Sequence, residues 1–135
     1  MRGRKPDSIL AGSSPVLEVP KAPGWLSKDA KSEWKRVAPI LVERKVLTDA
    51  DLGTLESYCA AVGVVRECAR QLAVDGLMLN GKRHPLYGVQ HSAITDARLC
   101  AAELGLTPVS RSRPSIREDQ EEDDDSPLGM ARNRL

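Results

Sequence analysis

Apolar residues recur at helical spacing in three separate segments of the chain. In the first segment, steps of three and four residues predict one buried helix face, formed by Ala30, Trp34, Val37, Ala38 and Leu41. Ser27 is a good N-cap, so this helix should begin there. Pro39 lies inside the pattern. Because its ring removes a backbone donor and clashes with the preceding turn, we expect it to kink the helix or end it near Ala38.

The second segment begins at Thr48 and continues to Asp75-Gly76. Its apolar positions also step by three and four: Leu52, Leu55, Tyr58, Cys59, Val62, Val65, Ala69 and Leu72. Thr48 can cap the first turn, and the carboxylates that follow suit the positive end of the helix dipole. Gly63 costs about 1 kcal/mol relative to alanine inside a helix, which predicts close contact with a neighbouring helix there.

The third segment extends from about Leu86 to Leu104. Its predicted face consists of Val89, Ala93, Ile94, Ala97, Ala101 and Leu104. Asn80-Gly81 lies between the last two segments and favours a tight turn, so we expect a β-hairpin or an ordered loop. The chain should therefore be an all-α helical domain with a long antiparallel αα-hairpin, a short β-hairpin or loop between its helices, and disordered termini.

Composition agrees with packed helices and reveals an uneven charge. The chain has 135 residues, 41% hydrophobic and 3% aromatic, with no Phe, so Leu, Val, Ala and Ile must build the core. Residues 1–117 hold 18 of the 20 Lys and Arg and 12 of the 19 Asp and Glu, whereas residues 118–135 hold 2 and 7. Such asymmetry suggests a polyanion-binding body with an acidic tail. The alternative is a solvated surface with a disordered end.

The residues needed for catalysis do not assemble in the sequence. There is no Gly-rich phosphate loop ending in Lys-Ser/Thr, and His84 and His91 have no Cys or carboxylate at metal-ligand spacing. Acidic residues are expected on helix faces opposite the apolar stripes, where they would not converge on a metal as a nuclease requires. The chain has three widely spaced cysteines, which we interpret as reduced thiols and not as metal ligands: Cys59, Cys68 and Cys100. We therefore predict no enzymatic activity, no cofactor and no metal.

Neither a membrane span nor a secretion signal is predicted. No stretch is long and apolar enough to cross a bilayer, and the basic N-terminus lacks an apolar signal core.

Clusters of positive charge are the remaining candidates for function, and three of them could contact DNA phosphates. They are an N-terminal arm with Arg2, Arg4 and Lys5, a first-helix group away from Trp34 with Lys28, Lys31, Lys35 and Arg36, and a second arm with Arg111, Arg113 and Arg117. The alternative for each cluster is an ordinary solvated surface. Because lysine and arginine suit phosphates, such contacts would give affinity without reading sequence.

Four motifs, in order, resemble the small subunit of phage terminases. They are Arg2-Gly3-Arg4-Lys5-Pro6; Pro23-x-Trp25-Leu26 with Ala30 and Trp34; Leu47-Thr48-x-x-Asp51 with Leu55 and Tyr58-Cys59; and Glu103-Leu-Gly-Leu-Thr-Pro-x-Ser-Arg111. In the last motif, Gly105 can cap the third helix in a left-handed conformation, and Pro108 should prevent the helix from resuming.

The resemblance implies a non-catalytic, all-helical subunit that forms a homo-oligomeric ring in the host cytoplasm, binds double-stranded viral DNA, and recruits and regulates the large ATPase–nuclease subunit. The domain organisation would be a flexible basic, proline-rich arm at 1–24, an oligomerisation and DNA-binding core at 25–107, and a basic then acidic tail at 108–135. Residues expected in core packing or self-association are Trp34, Leu55, Tyr58, Val62, Leu72, Ile94 and Leu104.

Two other functions fit the same sequence. A transcriptional regulator would present a helix-turn-helix, with a short turn between Ala38 and Asp49. However, the following helix is long and begins with acidic residues, which phosphates would repel. The other alternative is a scaffold or head–tail connector without DNA contact. The acidic tail is expected to compete with DNA for the basic arms, to reach the large subunit, or only to keep the chain soluble.

Overall fold

The computed structural model describes residues 14–111, and it confirms the predicted all-α fold with an antiparallel helix pair. Its strands form one two-stranded antiparallel sheet in the described range. In chain order the elements are α1 (Lys28–Glu43), a 3-10 turn (Asp49–Asp51), α2 (Leu52–Asp75), β1 (Met78–Leu79), β2 (Lys82–Arg83), α3 (Pro85–Glu103) and the one-turn helix α4 (Pro108–Arg111).

Helix α1 begins as the sequence predicts but does not end at its proline. The Ser27 hydroxyl accepts a hydrogen bond from the Ala30 N–H at 3.2 Å. Pro39 lies inside the helix, which continues to Glu43, so the prediction of an end near Ala38 was wrong. Pro39 is on the exposed side, where water can hydrate the carbonyl left without a donor. Leu41, fully buried beyond the proline, keeps the last turn packed on the core.

The start of the second helix is stabilised by a reciprocal cap. The Asp51 carboxylate accepts hydrogen bonds from the Thr48 N–H at 3.1 Å and from the Thr48 hydroxyl at 2.8 Å. The Thr48 carbonyl accepts from the Asp51 N–H at 3.0 Å. Asp51 therefore contributes to the cap through direct hydrogen bonds, in addition to the favourable dipole interaction that the sequence predicts for it.

The connection between α2 and α3 is the predicted β-hairpin. Met78 pairs with Arg83 and Leu79 with Lys82, and the turn residues Asn80 and Gly81 have φ angles of 52° and 77°. Two consecutive positive φ angles are those of a type I′ turn, for which Asn-Gly is the preferred pair.

A buried histidine joins the end of α2 to the start of α3. His84 Nδ1 accepts from the Leu86 N–H at 3.0 Å, and Nε2 lies 2.9 Å from the Asp75 carboxylate. Because Nδ1 is the acceptor, a neutral ring carries its proton on Nε2 and donates it to Asp75. Hydrogen bonds from Gln71 and His84 hold the pKa of Asp75 below its usual value. His84 is thus a helix cap.

The core lies where α1 and α3 pack against α2. Gly63 provides the closest approach: a Cβ there would lie 2.7 Å from the Ser27 hydroxyl oxygen and 3.1 Å from the Ala30 Cβ. This confirms the predicted close helix contact. The main cluster of buried residues contains Leu26, Ala30, Trp34, Val37, Ala38, Leu41, Leu47, Leu55, Tyr58, Cys59 and Leu104.

The segment before α1 is extended and attached to the core along residues 14–24. The Val16 N–H donates to the Leu47 carbonyl at 2.7 Å, and Trp34 Nε1 donates to the Pro20 carbonyl at 2.8 Å. Part of the predicted N-terminal arm therefore has fixed contacts, whereas residues 1–13 lie outside the described range.

At the other end of the domain, Gly105 has the predicted left-handed φ of 73°. Pro108 does not prevent renewed helix formation, because it begins α4. The first position of a helix needs no proline N–H, which explains why a new turn starts there. Within residues 14–111, no helix is both long and apolar enough to cross a membrane.

Candidate nucleic-acid interface

Three lysines form one exposed side of α1. Lys28, Lys31 and Lys35 stand at positions i, i+3 and i+7, which places them together on the helix surface. Lys28 and Lys35 are exposed and Lys31 is half-buried. Across residues 14–111, no carboxylate forms a salt bridge with any of the three. We call these three residues the lysine face; its charge is available to an external anion.

A groove of about 460 Å³ runs between this side of α1 and the segment before the helix. The Trp34–Pro20 hydrogen bond fixes the two walls relative to each other. Among residues 14–111, no carboxylate lines the groove, whose walls are Val19, Pro20, Lys21, Ala22, Lys31, Trp34, Lys35 and Pro39. The sequence places the lysines away from Trp34, but the structure brings Lys31, Lys35 and Trp34 into this one depression, which we call the lysine groove.

Two acidic residues of α1, Asp29 and Glu33, lie on a different side of the helix and are bound by arginines. The two terminal guanidinium nitrogens of Arg70 donate to the two carboxylate oxygens of Asp29, with Nη1 at 3.0 Å from Oδ1. Arg66 donates to Glu33 at 2.7 Å, and Arg36 forms a two-point contact with the same carboxylate. The negative charges of Asp29 and Glu33 are therefore compensated by salt bridges, whereas no carboxylate of residues 14–111 forms a salt bridge with the three lysines.

Glu33 is the centre of this network and is only 1% exposed. The Tyr58 hydroxyl donates to its Oε1 atom at 2.9 Å. Burial by itself would raise the pKa of Glu33, but hydrogen bonds from Arg36 and Tyr58 outweigh burial and leave the pKa below its usual value. Burial and the Glu33 contact raise the pKa of Tyr58 to about 12. Glu33 contradicts the expectation that acidic residues lie opposite the apolar stripes: it is a buried anion held by arginines.

Of the remaining candidate DNA-binding residues, two lie within the described part of the chain and five lie outside it. Arg36 belongs to the Glu33 network, although its side chain is 60% exposed. Arg111 is exposed at the end of α4, where its Nε atom lies 3.4 Å from the Thr107 carbonyl oxygen. Five candidates lie outside the described residues: Arg2, Arg4, Lys5, Arg113 and Arg117.

Several residues of this region were missed by the sequence patterns. Lys21 enters the lysine groove only because its segment folds back on α1. Arg66 and Arg70 pair with acids more than thirty residues earlier. Glu33 could have been suspected, because it stands beside Trp34, next to the predicted apolar face. The other three carry no local signal.

A second exposed feature is an apolar groove of about 660 Å³ between α2 and α3. Leu99 and Val89 are 62% and 49% exposed at its border, and Val64 lines it from α2. Of the nineteen residues in α3, Ala93 alone is buried. Most of the apolar surface of α3 therefore has no covering element within residues 14–111.

The residues expected in core packing or self-association divide into two partly exposed residues and five buried ones. Val62 on α2 is half-buried, and Ile94 on α3 is 38% exposed. The others are buried: Trp34, Leu55, Tyr58, Leu72 and Leu104.

The described residues also bear on a metal site, on the cysteines and on the helix-turn-helix alternative. Among residues 14–111, no group of three or more His, Cys, Asp or Glu is arranged to hold a metal ion. The three cysteines are free thiols in the structure. The helix-turn-helix alternative needs a compact helix pair, whereas α1 is followed by a longer connection and by a helix of 24 residues.

Comparison with known families agrees with the resemblance seen in the sequence. No curated protein and no solved structure matches the chain. The family model for the small subunit of phage terminase matches residues 30–121, which is more than half of the chain and includes α2, α3 and all but the first two residues of α1. The match also includes Lys31 and Lys35. This chain belongs to the phage terminase small-subunit family.

Proposed function

We propose that this chain is a DNA-binding, oligomeric adaptor of a phage packaging machine. It binds double-stranded viral DNA, recruits the large ATPase–nuclease subunit and regulates it in the host cytoplasm, without catalysis of its own. The family membership supports a role in phage DNA packaging. The observation that carries DNA binding is the lysine face, whose positive charge no carboxylate of residues 14–111 compensates through a salt bridge.

The lysine face is suited to phosphate rather than to base edges. An ammonium group is a compact charge on a flexible stem, so it can follow a phosphate backbone without fixed geometry. Lys28, Lys31 and Lys35 span seven residues, or roughly 10 Å along the helix axis at 1.5 Å per residue. Duplex DNA carries one charge per about 1.7 Å of its axis, so all three lysines can find phosphates at once.

Self-association is proposed through the apolar side of the α2–α3 pair. The border residues Leu99 and Val89 expose large side chains beside a groove lined by small and apolar residues. A second copy that covers this surface would remove it from water. A ring formed in this way would repeat the lysine face around its circumference and strengthen DNA binding by multivalency.

A salt titration of duplex binding tests the DNA contact. Replacing Lys28, Lys31 and Lys35 by Gln should weaken binding at low salt. It should also reduce the slope of log K against log salt by up to about 3, because each lost phosphate contact contributes about 0.9.

The control variant for this titration replaces Arg44, Lys45 and Lys82 by Gln, which removes the same charge from other exposed positions. It should change the slope by less than about 1. An unchanged slope in the Lys28, Lys31 and Lys35 variant would refute the proposed contact. If both variants bind duplex DNA as well as the wild type does, the N-terminal arm of Arg2, Arg4 and Lys5 would be the expected contact instead.

A further inference from the structure

We propose that the acidic segment at residues 118–125 docks in the lysine groove and makes the chain self-inhibiting toward DNA. Seven of these eight residues are Asp or Glu. The groove they would occupy lies between residues 19–22 and α1, and it presents Lys21, Lys31 and Lys35. Docking itself does not depend on the function proposed above; its consequence for DNA does.

Charge favours this groove over the arginine-bearing side of α1. Within the part of the chain that the structure describes, three ammonium groups border it and no carboxylate does. The arginines on the other side of α1 are already engaged, since Arg36 and Arg66 bind Glu33 and Arg70 binds Asp29. An acidic segment that approaches α1 therefore meets uncompensated charge at the lysines and compensated charge at the arginines.

The groove has fixed walls in the absence of any occupant. Trp34 Nε1 binds the Pro20 carbonyl at 2.8 Å, and the Val16 N–H binds the Leu47 carbonyl at 2.7 Å. These two bonds hold the segment before α1 against the domain. A segment that docks there does not have to order the wall, which lowers the entropic cost of binding.

The length of the chain beyond the described residues allows the contact. Arg111 is exposed where the described chain ends, and residue 118 follows seven positions later. At most about 3.5 Å per residue, seven residues reach about 25 Å. A folded domain of about 100 residues has a radius of gyration of about 13 Å, so this reach is comparable with the dimensions of the domain.

Tethering compensates for weak individual contacts. An exposed ion pair between a lysine and a carboxylate is weak. A connection of only a few residues, however, gives a tethered segment an effective concentration in the millimolar range. Several weak pairs then suffice for occupancy at low salt, yet remain weak enough for the far denser charge of DNA to displace the segment. DNA binding would thereby release the acidic segment.

Zero-length carbodiimide crosslinking of the full chain, followed by peptide mass spectrometry, tests the docking directly. At about 0.05 M salt, where screening is weak, amide links from residues 118–125 should form several-fold more often at Lys21, Lys31 and Lys35 than at Lys45 and Lys82. The preference should disappear at about 0.5 M salt. Equal crosslinking of exposed lysines, or a preference unchanged by salt, would overturn the proposal.

A matched variant measures the consequence for DNA. Its seven acids at 118–125 are replaced by Asn and Gln, which keeps the chain length. At low salt this variant should bind duplex DNA about three- to tenfold more tightly, and the gain should vanish as salt screens the charges. The gain should be much smaller when Lys21, Lys31 and Lys35 are also replaced by Gln.

The two experiments fail in distinguishable ways. If the chain binds no DNA, the proposed function is wrong, and the crosslinks still decide whether the segment docks. If DNA affinity rises equally with and without the three groove lysines, the acidic segment repels DNA through its general charge and the lysine groove is not its site.

Discussion

At the scale of single residues, Glu33 shows how a buried charge is accommodated in a small helical domain. Its carboxylate is almost fully buried but receives donors from α1 and α2, namely Arg36, Arg66 and Tyr58. The arginine ends of these contacts remain accessible to water, since their side chains are 60% and 41% exposed. The site links two helices through one carboxylate without enclosing a whole ion pair.

Glu33→Gln should lower the free energy of unfolding by about 1–2 kcal/mol at pH 7, because it removes hydrogen bonds to a charged acceptor while the freed arginines regain water. The pKa of Glu33 is depressed in the folded protein, so its stabilising effect is complete above the unfolded pKa of about 4.3 and is lost as pH falls through the folded value. Urea unfolding at pH 7 and pH 3 should show the difference from wild type shrinking at pH 3.

The control for this comparison is Glu43→Gln, which changes an exposed acid at the end of the same helix. It should alter stability by less than about 0.5 kcal/mol at either pH. An equal effect of both variants would show that the buried carboxylate contributes only its general charge.

The buried thiol of Cys59 should make the protein less stable at alkaline pH. Burial raises the pKa of its thiol to about 12. A raised pKa contributes stability that is complete below the unfolded value of about 8.5 and is lost as pH rises toward the folded one. The free energy of unfolding should therefore fall between pH 8.5 and 10, by at most about 1.4 kcal/mol per unit from this group. Denaturant unfolding should show that Cys59→Ala has a lower free energy of unfolding than the wild type at pH 7, and that this free energy falls less steeply as pH rises. Equal pH dependence in the two proteins would contradict the assignment.

At the scale of elements, the contact between α1 and α2 is set by a residue without a side chain. Gly63 lets α2 approach the first turn of α1 so closely that Ser27, the N-cap, and Ala30 occupy the space of a Cβ. The Ser27 hydroxyl has its own partner in the Ala30 N–H. Any side chain at position 63 would therefore disturb both the packing and the cap.

Gly63→Ala should destabilise the protein by about 1–3 kcal/mol, because overpacking outweighs the gain of about 1 kcal/mol in helix propensity. Gly53→Ala is the matched control in the same helix, since a Cβ there meets nothing within 4 Å. That variant should be neutral or stabilised by up to about 1 kcal/mol. Thermal unfolding of both variants tests the prediction. If Gly63→Ala is more stable than the wild type, the two helices move apart at little cost and the close contact is not tight.

At the scale of the whole molecule, the α2–α3 pair leaves a broad apolar surface uncovered within residues 14–111. Helix α3 covers α2 on one side but buries little of itself, and Leu99 and Val89 extend outward beside the groove. The lysine face belongs to α1 and does not contribute to this groove. One chain thus presents separate surfaces for the proposed DNA contact and the proposed self-association.

Replacing Leu99 and Val89 together by Ser should shift assembly to at least about tenfold higher protein concentration, because burial of one such apolar side chain contributes about 1.5–3 kcal/mol. Light scattering across a concentration series measures the shift. Val74→Ser, an exposed change on α2 away from the groove, should leave assembly unchanged. A wild-type chain that stays monomeric at micromolar concentration would refute self-association altogether.

The sequence by itself determined the parts of this protein that depend on neighbours along the chain. Helix spacing, the Ser27 cap, the Asn80-Gly81 turn and the left-handed Gly105 are local, so their residues specify them directly. The motifs that resemble the terminase small subunit are likewise read from order and spacing, and the match over residues 30–121 confirms the family that they indicate.

Tertiary structure alone decided which of these elements meet and what their contact encloses. Pro39 is tolerated because it faces outward while Leu41 beyond it is buried, and Glu33 is an internal anion because Arg66 arrives from another helix. Lys21 joins Lys31 only where the chain folds back on α1. Burial and charge compensation depend on residues far apart in sequence, which the periodicity of one helix does not encode.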